Sequence, residues 1–271
     1  MGSTSALSAM RTVDCHAHVM RIGAPLTEDR HSGPARDVLV EELLEVLDQN
    51  SISYGVLVAP SFYGADNAIL LDALGRYPER LRGTAIVDPE AGPSLDALDG
   101  RGIVGIRLNW VRRQHRPDPG SKAYRRLFDA LRERKWHVEL FLEGELLPDV
   151  LPILRRSGVA LVLDHFGCPE PGQGVGSQGF RLVLAAVRDG AAWVKLSAPY
   201  RLRGADPRPY VDALLEAGGA GRLLWASDWP WVGHEGACTY QECLDALRRW
   251  VPDEAARQII LADGPQRLFG F

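Results

Sequence analysis

Lysine is nearly missing from this chain: Lys122, Lys135 and Lys195 are the only lysines among 31 basic residues, and arginine supplies the rest. Cysteine is scarce as well. Its four occurrences, at positions 15, 168, 238 and 243, form no CxxC pair and no regular framework, which excludes a small disulfide-stapled scaffold. No stretch approaches the roughly 18 uninterrupted apolar residues of a membrane-spanning helix. Residues 1–10 lack the basic and apolar regions of a signal peptide. Positive charge is not in excess either: 35 acidic residues against 31 basic leave a formal net charge of −4, so no chain-wide field favours nucleic acid. These absences predict a cytoplasmic protein that engages neither membrane nor nucleic acid. Residues 1–10 are read as a disordered tail and residues 11–271 as one domain; the oligomeric state, monomer or homo-oligomer, stays open.

What is present is a regular alternation. Short apolar runs at about 11–17, 53–59, 82–87, 103–109, 136–142, 159–163, 192–197 and 222–227 read as strands. Amphipathic stretches near 38–50, 65–77, 121–135, 145–157, 177–189, 207–217 and 239–262 read as helices, with a weaker one near 93–99. Eight strand-then-helix units predict an α/β fold, a single distorted TIM (β/α)₈ barrel. A doubly wound open sheet would carry a GxGxxG turn after its first strand, where this chain carries Asp14-Cys15-His16-Ala17-His18 instead. The unpatterned segments 19–36, 110–120 and 164–176 follow strands one, four and six, which predicts loops on the catalytic face.

Strict alternation along the first strand puts Asp14, His16 and His18 on one face and Val13, Cys15, Ala17 and Val19 on the other. Two imidazoles converging at a strand end can ligate a divalent metal or hydrogen-bond a substrate oxygen, although HxH alone also fits a solvated edge strand. The other strands end in polar residues too: Ser61 after strand two, Arg107 and Asn109 on strand four with Arg112 and Arg113 beyond, and Asp164-His165 after strand six. Lys195 and Ser197 lie on strand seven with Tyr200 and Arg201 following, and Ser227-Asp228 ends strand eight. In a barrel these are the positions from which catalytic groups project. Arg107 alternates with Ile106 and Leu108 and so faces the barrel axis, where it is expected to lack a partner unless an anionic substrate meets it. Lys195 reads equally as an inward salt-bridge partner or as a ligand contact.

The DxHxH start, the PSFYGADN stretch, GIRLNWVRR, LDHFG, VKLSAPYR, WASDWPW and the terminal GPQRLFGF occur in one order from Val13 to Phe271. Together they resemble the amidohydrolase superfamily, in the branch of the 2-pyrone-4,6-dicarboxylate lactonases and other sugar or muconate lactonases. The resemblance implies hydrolysis of a cyclic ester, with Asp228 as general base and His16, His18 and His165 around the scissile carbonyl. It also implies that Arg107 and Arg113 hold substrate carboxylates, and Ser61, Asn109, Lys195 and Arg201 complete the expected substrate site. Binuclear members carry a metal-bridging lysine or glutamate on strand four and a histidine on strand five, whereas this chain has Arg107 and Glu139-Leu140-Phe141. Two metals are therefore not expected. Either no cofactor is obligatory, or one divalent ion, Zn²⁺ or Mn²⁺, is held by His16, His18 and Asp228. Asp228 is expected to have its pKa raised by lost solvent. The expected partner is a small anionic molecule such as a pyrone or muconolactone carboxylate. A metal-dependent decarboxylase of an aromatic or unsaturated acid, a neutral sugar lactonase and a non-catalytic acid-binding barrel are the rival readings.

Overall fold

The computed structural model describes residues 11–28, 30–90, 95–113 and 115–271; the segment read as a disordered tail lies outside them. Eight parallel strands form the barrel: β1 Val13–Ala17, β2 Tyr54–Val58, β3 Leu81–Ala85, β4 Ile103–Asn109, β5 His137–Phe141, β6 Leu161–Leu163, β7 Ala192–Leu196 and β8 Leu223–Trp225. They pair in sequence order. Closure comes from a parallel bridge between Ala17 and Trp229, with Asp228 N donating to His16 O (3.0 Å) and His18 N to Trp229 O (2.9 Å). That seam is what sets Asp228 beside the two histidines of β1, more than two hundred residues away in sequence.

The helices are α1 Val40–Gln49, α2 Ala68–Arg76, α3 Lys122–Arg134, α4 Leu147–Ser157, α5 Gln178–Arg188, α6 Arg208–Gly218 and α7 Tyr240–Trp250, followed by the short α8 Glu254–Gln258 and α9 Gly264–Phe269. Each long helix turns an apolar stripe to the barrel, as α1 does with Val40, Leu43, Leu44 and Leu47. Side-chain caps fix several starts: Ser121 on α3, Ser177 on α5 and a capping box of Thr239 and Glu242 on α7. The helix read over 239–262 is broken. Pro252 brings no N–H and pushes Val251 out of helical geometry, and Asp253 then caps a new helix by accepting from Ala256 N.

Inside the barrel the side chains lie in layers. A closed apolar floor combines Val13, Cys15, Val56, Val58, Val162, Trp193, Leu224 and Ala226, plugged from below by Phe269 of α9. Above it sit Arg107, Glu139, Asp164 and Lys195, then the histidines and Asp228. β1 departs from strict alternation. Asp14 pairs with Gly55 but Ala17 pairs with Leu57, so β1 holds one extra residue against β2 and a bulge flips the pleat. Asp14 therefore does not share the face of His16 and His18. Its carboxylate is fully buried toward α7, accepting from Ser227 N (3.0 Å), Ser227 Oγ (2.5 Å) and Tyr240 Oη (2.9 Å). It thus ties β1 to β8 from behind the site. No helix among the described residues is long and apolar enough to cross a membrane.

Candidate active site

A cavity of about 450 Å³ opens over the strands' C-terminal ends, and His18, His165 and Asp228 line it together with Ser61, Asn109, Arg107 and Arg201. The long loops after β1, β4 and β6 contribute His31, Arg112 and Cys168 to its wall, and the loop after β7 contributes Tyr200 and Arg203. Asp228 and His165 both hold left-handed backbone, at φ 60° and 48°. Non-glycine residues in that region concentrate where the surrounding fold fixes a functional side chain.

Three imidazoles converge on one carboxylate oxygen. His16 Nε2 is 3.5 Å from Asp228 Oδ1, His18 Nε2 is 3.7 Å and His165 Nε2 is 3.9 Å, while the Nε2 atoms of His16 and His18 are 3.2 Å apart. The second oxygen, Oδ2, accepts from Tyr200 Oη (2.5 Å) and Arg201 Nη2 (3.0 Å). Burial works to raise the Asp228 carboxyl, yet Arg201 and the facing histidines outweigh it and hold it well below the usual carboxylate range. The expected upward shift is thus corrected: loss of solvent is the largest single influence, but the Arg201 salt bridge and the three histidines together exceed it.

The donor geometry suits one divalent ion. Separations of 3.2 to 3.7 Å among His16 Nε2, His18 Nε2 and Asp228 Oδ1 bracket the edge of about 3.4 Å that a tetrahedron with bonds of about 2.1 Å would have. His165 Nε2 points into the same space, buried and without a hydrogen-bond partner among the described residues. Asp164, in a second possible donor set with His16 and His165, is already committed to cations.

Those cations form the layer beneath. Lys195 Nζ is 2.6 Å from Glu139 Oε2 and 3.2 Å from Asp164 Oδ1, and Arg107 stands 3.1 Å from Asp164 Oδ2 and 3.4 Å from Glu139 Oε1, all four residues being buried. Two opposite pairs compensate each other, as buried charges must. Burial and the Asp164 charge push Glu139 up to about 7 against the pull of Lys195 and Arg107, whereas Lys195, His16 and Arg107 overcome burial at Asp164 and hold it well below the usual range. Arg107 Nη1 also donates to Ala59 O (3.1 Å). The expectation that Arg107 lacks a partner without a bound anion is therefore corrected: Nη1 and Nη2 are hydrogen-bonded within the protein, and Nε faces Glu139 Oε1 as an ion pair at 3.4 Å.

Other expected site residues are redistributed. Lys195 is fully buried, a layer below the cavity, and His16 reaches the convergence point without lining the wall. Arg113 does not line the cavity, but its neighbour Arg112 does. Glu139 was legible as the one acid on the inward face of His137-Val138-Glu139-Leu140-Phe141, and strand five does carry a histidine: His137 starts it, buried beside Thr84 and Phe269 and away from the cavity. His31, Tyr200 and Arg203 come from loops whose placement no periodicity encodes. His31 serves as a probe of the local field: burial lowers its pKa first, and the next contributions, from Arg112, Arg201, Arg107 and Arg113, all lower it further. Around His31 the arginines therefore outweigh the wall's acids, Glu143, Glu145 and Glu170.

The buried histidines give a test of stability. Burial lowers His165 to about 4 and His137 to about 3. A histidine depressed in the folded state binds fewer protons than its unfolded counterpart between those values and about 6.5, so stability rises with pH across that window. For His165 the loss on going from pH 7 to pH 4 is roughly 3 kcal/mol. Urea unfolding of His165→Asn is expected to show a pH dependence flatter by about that amount than wild type.

Comparison with known proteins agrees with this architecture. The amidohydrolase family profile matches residues 13–271, and the chain belongs to the amidohydrolase family. It is 30% identical over 275 residues to the 4-sulfomuconolactone hydrolase of Rhizobium radiobacter, covering 95% of this chain and 89% of that protein. It is 27% identical to the 2-pyrone-4,6-dicarboxylate hydrolase of Comamonas testosteroni, with the same coverage of each. A solved structure from Acinetobacter baumannii, described as a probable 2-pyrone-4,6-dicarboxylic acid hydrolase with citric acid bound, superposes with a TM-score of 0.87 at 31% identity, covering 97% of this chain and 100% of that one.

Proposed function

We propose that this protein, acting through residues 11–271 as one domain, hydrolyses the ring ester of a small anionic lactone of the pyrone or muconolactone carboxylate or sulfonate kind. The observation that carries the reading is the meeting of Asp228 with three imidazoles at the floor of an arginine-walled cavity. The names of the relatives support the same bond class.

In this reading the substrate's acidic group lies toward Arg201, Arg112 and Arg203, in the field that depresses His31. Arg201 holds Asp228 through Nε and Nη2, and no described contact engages its Nη1, which is left to receive an anion. Water attacks the lactone carbonyl while Asp228 Oδ1 accepts its proton. Ionised at every working pH, Asp228 is a weak base, so most of the barrier reduction falls to stabilising the oxyanion. His16, His165 and the Arg107 charge serve that purpose in a desolvated floor. Collapse then breaks the acyl–oxygen bond, and the ring oxygen leaves with the proton returned by Asp228. A Zn²⁺ or Mn²⁺ ion held by His16, His18 and Asp228 would add Lewis-acid polarisation of the carbonyl.

The test is product analysis on a lactone panel, with and without chelator. Ring opening is expected to release one titratable proton per turnover and no CO₂. Release of CO₂ from an aromatic or unsaturated acid would transfer the assignment to a decarboxylase, and binding of acids without turnover would leave a non-catalytic barrel.

A further inference from the structure

We propose that Lys195 is a positioning residue that fixes the proton of His16 on Nε2, directing an N–H rather than a bare nitrogen into the active site. His18 Nδ1 lies 2.7 Å from Val58 O; a carbonyl only accepts, so His18 carries its proton on Nδ1 and presents a bare Nε2. That nitrogen is 3.2 Å from His16 Nε2. Two bare nitrogens at this distance repel, so His16 supplies the proton between them.

The far side of His16 agrees independently. Lys195 Nζ is 3.0 Å from His16 Nδ1, and an ammonium only donates, so Nδ1 accepts and the ring proton resides on Nε2. Asp164 Oδ1, 3.3 Å from the same nitrogen, can only accept and pulls the other way, but Lys195 is nearer to Nδ1 and also holds that oxygen at 3.2 Å, and Glu139 Oε1 is farther at 3.6 Å. A second contact opposes the assignment: Arg107 Nη2 lies 3.5 Å from His16 Nε2. That separation is beyond the usual range for N–H donors, and the same Nη2 has Asp164 Oδ2 at 3.1 Å. The shorter contacts form one directional series, from Lys195 through His16 and His18 to the Val58 carbonyl.

The consequence concerns the metal-compatible donor set. A divalent ion needs a lone pair on His16 Nε2, which requires the proton to move to Nδ1 and Lys195 to surrender that acceptor. Lys195 therefore acts against metal capture at His16 without touching the cavity. This conclusion does not depend on the substrate.

Histidine-¹⁵N-labelled enzyme, stripped with chelator, tests it through long-range ¹H–¹⁵N correlation, with His16 assigned by loss of its signals in His16→Gln. Wild type is expected to show His16 protonated at Nε2. Lys195→Met leaves two buried carboxylates facing only Arg107, so Lys195→Met/Glu139→Gln, which removes one charge of each sign, is measured beside it. In either folded variant Asp164 Oδ1, 3.3 Å from Nδ1, is left to draw the proton against the pull of His18 Nε2, so an Nδ1-protonated form of His16 is expected to appear beside the Nε2 form. Zn²⁺ binding by calorimetry is expected to tighten about 10- to 100-fold, the span that hydrogen-bond partners of metal-binding histidines command. Protonation at Nδ1 in wild type overturns the proposal. So does a variant in which His16 shows no Nδ1-protonated form at all, or one that binds Zn²⁺ no more tightly than wild type. The wild-type spectrum decides even if neither variant folds.

Discussion

Asp228→Asn is expected to lower kcat on an anionic lactone by about 10²- to 10⁴-fold, the usual worth of a general base, with the barrel intact. Asparagine keeps the shape and can still accept from Tyr200 and Arg201 at the position of Oδ2, so the loss falls on proton transfer. KM is expected to change far less than kcat, because Arg201, freed from its carboxylate partner, still attracts an anionic substrate. Steady-state kinetics with circular dichroism as a fold check separates the outcomes. A variant with near-normal kcat would remove Asp228 from the mechanism.

The second large effect is on stability. Arg107→Met is expected to destabilise the protein by about 3 to 5 kcal/mol, since it strips a cation from between two buried carboxylates. Asp164 and Glu139 would retain only Lys195, and Ala59 O would lose a donor. Urea denaturation at neutral pH measures this directly. Adding Glu139→Gln to Arg107→Met is expected to recover part of the loss, because one unpaired charge disappears with its partner. A single variant as stable as wild type would mean that Arg107 awaits a substrate anion after all.

The barrel was legible because its signal is repeated eight times. Each strand is a short apolar run and each long helix a clear stripe, so the ends could err by a few residues without disturbing the order. His16, His18, His165 and Asp228 were legible because parallel strands deliver their C-terminal residues to one rim. What could not be read depends on a single residue's offset or on loop geometry. The β1 bulge moves Asp14 to the opposite face, and alternation has no means of announcing an inserted residue. Arg107 was correctly placed inward, but its partners Glu139 and Asp164 come from two other strands, and their proximity follows from barrel register rather than from local sequence. The upward shift expected for Asp228 failed for the same reason. Burial does raise its pKa, but Arg201, which reaches back from the loop after β7, and histidines from two other strands together outweigh it.

Anion recognition is the central claim, and a matched pair of lactones tests it most directly: kcat/KM for one ring bearing a free carboxylate, and for the same ring with that group as its methyl ester. A desolvated contact between a guanidinium and a carboxylate is worth about 2 kcal/mol or more, equivalent to about 30-fold. The acid is therefore expected to be hydrolysed at least that much more efficiently, with the advantage falling in Arg201→Met and at high salt. Equal efficiency for the neutral ester, unaffected by Arg201→Met, would contradict it and point to a neutral lactone as the substrate.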